Sequence, residues 1–147
     1  NANLDISNIA TNVGFGISYA LPILVTCLLA ERNETIIIEN PEAHLHAKAQ
    51  SNMGYFLGIM AAAGLRIVVE THSEHIINGI RRTIVCTDML APEAVTIYFL
   101  EASKDGIQKT EISMDKAGNL SDFPVDFFDQ QRQDSKLIFE HLYSLNK

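Results

Sequence analysis

Cysteine is scarce: Cys27 and Cys86 are the only two in 147 residues, too few for a disulfide framework. Each sits in an apolar or helical context, where a free thiol behaves as a small core residue. A reducing cytoplasm is the expected location. Basic residues are outnumbered, 11 Lys and Arg against 18 Asp and Glu for a net charge of −7. That balance argues against a protein held to nucleic acid by charge alone. The first ten residues lack the basic start of a signal peptide. The longest apolar run, ISYALPILVTCLLA at residues 17–30, has 14 residues, short of the roughly 20 that a membrane span needs. It reads instead as a buried helix, and no membrane partner is expected. Internal repeats and low-complexity segments are absent.

What is present is the balance of a globular domain, 47% hydrophobic and 20% charged. Apolar residues at helical spacing predict a helix from residue 17 or 18 to about 32, apolar all round and therefore buried, with Pro22 in its first turn. TIIIE at 35–39 and RIVVE at 66–70 are short β-branched runs, the form of strands buried on both faces of a parallel sheet. Leu45, Met53, Phe56, Leu57 and Met60 predict a helix between them, with Gly64 as its stop. Strand, helix, strand is a βαβ unit. Thr71 and Glu74 have capping-box spacing and predict a helix start, with Ile76, Ile77, Ile80 and Ile84 as its apolar stripe. Residues 95–100 and 107–113 read as a hairpin turning at Asp105-Gly106. A loop over 114–125 leads to a last helix over about 126–145, with Ile138, Leu142 and Leu145 on one face. The expected fold is α/β, a mostly parallel sheet with flanking helices, continued by the hairpin and closed by the C-terminal helix.

A right-handed crossover sets the two buried strands parallel, with their C-terminal ends at one sheet edge. Open α/β sheets bind ligands at that edge. The residues just past the two ends are Glu39-Asn40-Pro41-Glu42 and Thr71-His72-Ser73, polar immediately after apolar. Magnesium takes oxygen ligands and keeps several waters. A strand-tip carboxylate can hold such a water or orient a nucleophilic one, and a histidine on the next tip can donate to a phosphate oxygen. These parts suit nucleotide phosphate chemistry, where positioning and charge stabilisation carry most of the catalysis.

Three segments, NVGFGISYALPIL, TIIIENPEAHLHAKAQ and VVETHSEHI, occur in an order that resembles the ABC-type ATPases of the OLD and RecF-like group. These are AAA-labelled, SMC-related P-loop NTPases that often accompany DNA repair or phage defence. The resemblance covers about residues 12–82. It implies that Glu39 is the Walker B acid, holding magnesium through water, and that His72 is the switch histidine sensing the γ-phosphate of ATP. Asn40 stands where many of these enzymes carry the catalytic glutamate, and Glu42 could orient the water instead. Gly14, Phe15, Gly16 and Ser18 match the signature segment, which in the family contacts the nucleotide of the opposite subunit through backbone N–H groups. Residues 43–46 match the D-loop at the dimer interface. A homodimer across the nucleotide is thereby implied. No G-x-x-x-x-G-K-[ST] phosphate loop occurs in the chain. The resemblance therefore implies the C-terminal part of an ATPase whose Walker A half lies upstream. Residues 1–113 would belong to the ATPase domain, and 114–147 to an extension packing on it. The chain alone is expected to be inactive, and the whole protein to act through DNA or a partner nuclease.

Other residues admit plainer roles. His44, His46, His72 and His75 invite a transition-metal site, but His44 and His46 diverge on a helix and read as a polar helix start. Glu70 fits the acidic cluster or a structural role equally. Arg81-Arg82 reads as helix-end charge, and the aromatics of 123–128 as a packing anchor for the last helix. Two rival functions remain at this level. One is a metal-dependent hydrolase using the histidines with Glu42 or Glu70. The other is a non-catalytic dimerisation module derived from an ATPase.

Overall fold

A computed structural model describes residues 15–104 and 106–145. The chain divides into two compact units, Asn1–Ala91 and Pro92–Lys147. The division sets the hairpin with the C-terminal helix, whereas the sequence reading drew its line between 113 and 114.

In the first unit, helix α1 spans Phe15–Leu29, strand β1 Thr35–Glu39, helix α2 Ala47–Ala62, strand β2 Arg66–Glu70 and helix α3 Glu74–Thr87. β1 and β2 pair in parallel, with Ile37 opposite Val68 and Glu39 opposite Glu70. The β-branched runs thus form the expected βαβ unit. Alternate residues point to opposite faces of a strand. Ile36, Ile38, Ile67 and Val69 turn inward and join Cys27, Met53, Leu57, Leu65 and Ile76 in one core. Ile37 and Val68, a cross-strand pair, turn outward and stay exposed. The strands are therefore buried on one face, where burial on both was expected.

α1 is likewise half covered. Ala20, Ile23, Leu24 and Cys27 meet the core, while Ile17, Leu21, Leu28 and Leu29 are exposed. An all-round apolar helix is expected to be enclosed, but only one side of α1 finds a partner among the described residues. Pro22 lies well inside α1 rather than in its first turn. It has no N–H to give the Ser18 carbonyl four residues back, and it sits on the exposed side.

α2 and α3 cross closely. A Cβ on Gly54 would lie 2.0 Å from the Ile76 carbonyl oxygen, and one on Gly79 would lie 2.2 Å from that of Ser51. Thr83, wholly buried, donates its hydroxyl to the Tyr55 carbonyl at 3.2 Å. Arg82 lies over the Tyr55 ring, 4.4 Å from its centre, and reaches Asn52 Oδ1 at 3.3 Å. Arg82 thus ties α3 to α2, and it lies ahead of the last turn of α3, so it is not the helix-end charge expected.

The second unit holds a 3₁₀ turn at Pro92–Ala94, strands β3 (Thr96–Ser103) and β4 (Gly106–Ser113) and helix α4 (Gln130–Leu145). β3 and β4 form an antiparallel sheet of their own. The described strands are one parallel pair and one antiparallel pair, so the fold is α/β without the mostly parallel sheet expected. Phe127 is buried against Phe99, ring centres 5.5 Å apart and edge to face. That contact is the aromatic anchor at the approach to α4. Ile138 and Leu142, expected to face a core, are exposed.

Candidate functional site

The parallel register brings the C-terminal ends of β1 and β2 to the same level. Glu39 and Glu70 are direct neighbours, and the Asn40 N–H donates to the Glu70 carbonyl at 2.9 Å, extending the ladder one residue further. From there the chains turn. Asn40 takes a φ of 48°, a left-handed conformation that asparagine accepts more readily than most residues. His44 follows with a φ of 59°. The expected helix start at 43–46 is therefore a tight turn, and α2 begins only at Ala47. His46 caps it, its Nδ1 accepting the Ala49 N–H at 3.3 Å.

Glu42 reaches across to the second tip. Its Oε2 accepts the Thr71 hydroxyl at 2.7 Å, and its Oε1 accepts the His72 backbone N–H at 2.8 Å. Thr71 in turn accepts the Ser73 N–H at 3.1 Å. Ser73, not Thr71, caps α3: its Oγ accepts from His75 and Ile76. The capping-box reading placed the cap two residues early, because the Thr71 hydroxyl is taken by Glu42, 29 positions away. Ser73 Oγ also donates to Gln50 Oε1 at 2.6 Å, and Gln50 Nε2 donates to the Leu45 carbonyl at 2.7 Å. Two straps thus join the turn after β1 to the turn before α3. Gln50 is the site residue that sequence reasoning missed, and the bonds of Thr71 and Ser73 across to Glu42 and Gln50 were not foreseen. The only signal for Gln50 is polarity beside the motif residues.

His72 itself points outward, its side chain 81% exposed, with Nε2 3.4 Å from Glu70 Oε1. Glu39 is exposed at the end of β1. It borders an open groove of about 500 Å³ between β1 and α1, shared with Ser18, Tyr19, Thr26, Asn40 and Pro41. Glu39, Asn40 and Ser18 are brought together there, whereas His72 stands on the neighbouring tip outside the groove's lining. Gly16 lies in the first turn of α1, where a Cβ would come 3.0 Å from the His44 carbonyl oxygen. The Tyr19 ring centre lies 4.5 Å from that of His44. The start of α1 therefore rests on the turn after β1. Phe15 opens the helix, and Gly14 lies outside the described residues.

An exposed carboxylate and a neighbouring amide beside a groove are oxygen donors, the set a hard cation accepts. Among the described residues, no three His, Cys, Asp or Glu side chains gather as a metal centre. Three of the histidines have separate surroundings: His44 packs on Tyr19, His46 caps α2 and His72 stands on the second tip beside Glu70.

Residues 5–77 match the family model described as AAA ATPase domain. That span is AAA ATPase-related. Both strand tips and the start of α1 lie inside the matched span. Residues 90–137 match a second model, described as protein of unknown function (DUF3696). The two matches fall on the two structural units, apart from Leu90 and Ala91. No curated protein and no solved structure matches the chain. No described helix is long and apolar enough to cross a membrane.

Proposed function

We propose that this chain supplies the Walker B acid, the signature segment and the switch histidine of an ABC-type ATPase of the OLD and RecF-like group. The AAA ATPase match supports the coarser part of that reading, an ATPase-type, nucleotide-binding function. The observation that carries the finer part is the register of β1 and β2. It sets Glu39 beside Glu70 and brings the Glu39 and His72 tips out on adjacent strands.

Glu39 is the residue to hold magnesium through its water shell, with Asn40 as a neutral hydrogen-bonding neighbour. The ion, when bound, neutralises charge on the phosphates of ATP. His72 is exposed beside Glu70 and would leave that contact to donate to a terminal phosphate. Asn40 is a poor general base, because an amide oxygen takes up no proton near neutral pH. Phe15, Gly16 and Ser18, which follow Gly14 in the signature segment, would present backbone N–H groups at the start of α1 to the nucleotide of a second subunit. A homodimer closing over ATP, with the phosphate loop on an upstream half of the protein, completes the proposal. The proposed setting is the cytoplasm, in DNA repair or phage defence, acting on DNA or through a partner nuclease.

ATP turnover by the complete protein tests it. Glu39→Gln and His72→Ala should each lower kcat by about 100-fold or more. Normal turnover in both would defeat the assignment. ATP binding without turnover in the unmutated protein would favour the non-catalytic dimerisation module.

A further inference from the structure

Glu42 has both carboxylate oxygens engaged. One accepts the Thr71 hydroxyl at 2.7 Å and the other the His72 backbone N–H at 2.8 Å. The two bonds take one acceptor site on each oxygen, of roughly four that a carboxylate has. Both run between the strand tips and end on the segment that carries the His72 side chain. Hydrogen bonds to an ionised acceptor are short and strong. Without the first strap, the described bonds between the tips are the Asn40–Glu70 ladder bond before the segment and the Ser73–Gln50–Leu45 strap after it.

We infer that Glu42 is a positioning residue: it clamps the Thr71-His72 backbone to the turn after β1 and so fixes where the imidazole of His72 emerges. This rests on the proposed role of His72 as phosphate sensor. It departs from a water-orienting Glu42. A substitution separates the two roles. In Glu42→Gln the amide oxygen still accepts the His72 N–H. The amide NH₂ then donates to Thr71 Oγ1, whose hydroxyl proton is free to rotate away. The clamp survives while the anionic acceptor is lost. Glu42→Ala removes both.

The test follows two readouts in the complete protein, hydrogen exchange at the His72 amide and the kinetics of ATP turnover. Glu42→Ala should speed His72 amide exchange by about tenfold or more. It should lower kcat by about 100-fold with a much smaller change in KM, as misplacement of a group acting late in the reaction does. Glu42→Gln should keep the amide protected and hold kcat within about fivefold of the unmutated protein. Two results would overturn the inference. One is unchanged His72 exchange in Glu42→Ala. The other is a Glu42→Gln protein that keeps the amide protected yet loses turnover as fully as Glu42→Ala. Failure of the ATPase reading looks different. Glu39→Gln would then turn over normally, and the amide exchange would still decide whether the clamp exists.

Discussion

At the scale of single residues, the tips show what a sequence motif conveys and what it does not. Glu39 and His72 are legible because one ends an apolar run and the other lies two residues past the end of the next. The cap of α3 is not legible. Thr71 and Ser73 are both hydroxyls within reach of the first turn, and spacing alone prefers Thr71. Glu42 decides between them from 29 positions away, by accepting the Thr71 hydroxyl. Ser73→Ala should therefore cost about 1 kcal/mol of stability, more than Thr71 cap loss would suggest, since Gln50 also loses its donor. Urea unfolding of the variant measures it, and an unchanged midpoint would return the cap to Thr71. The two cysteines separate equally sharply. Cys27 is buried in the core, and burial pushes its thiol above the ordinary range. Cys86 is exposed. Thiolate is the reacting form, so an alkylating reagent at neutral pH should label Cys86 first and Cys27 only on unfolding. Peptide mass mapping distinguishes the two orders.

At the scale of elements, the βαβ unit was plain in the sequence and its packing was not. β-branched runs and helical spacing name the elements, but composition does not say how many faces will find partners. Hence β1, β2 and α1 were expected to be enclosed, and each has one apolar side open. The approach of α2 to α3 was equally hidden, because Gly54 and Gly79 look like ordinary helix-weakening glycines until the opposite backbone is known. A methyl at either position runs into a carbonyl oxygen of the other helix. Gly54→Ala and Gly79→Ala should each cost about 1–3 kcal/mol by forcing the helices apart, despite alanine's better helix propensity. Thermal unfolding checks this, and a stabilised Gly54→Ala protein would contradict the close crossing.

At the scale of the whole molecule, the hairpin and the last helix are a unit to themselves. The sequence grouped the hairpin with the preceding strands, because a strand run does not reveal which sheet it joins. Among the described residues β3 pairs only with β4, and Phe99 holds the Phe127 segment. The nucleotide chemistry proposed here belongs to the first unit and lacks a phosphate loop within these 147 residues. The chain by itself should therefore show no micromolar affinity for ATP in calorimetry, since most of the phosphate cradle comes from backbone N–H groups and a lysine it does not contain. Micromolar binding by the chain alone would overturn that expectation.

Paramagnetic manganese in place of magnesium, added with ATP to the complete protein, probes both strand tips in a single spectrum. If Glu39 and His72 flank one phosphate chain, the amide signals of Glu39, Asn40 and His72 should broaden together at the same low metal concentration, and Glu39→Gln should abolish the effect at all three. Broadening confined to one tip, or unaffected by Glu39→Gln, would show that the two tips do not share a nucleotide.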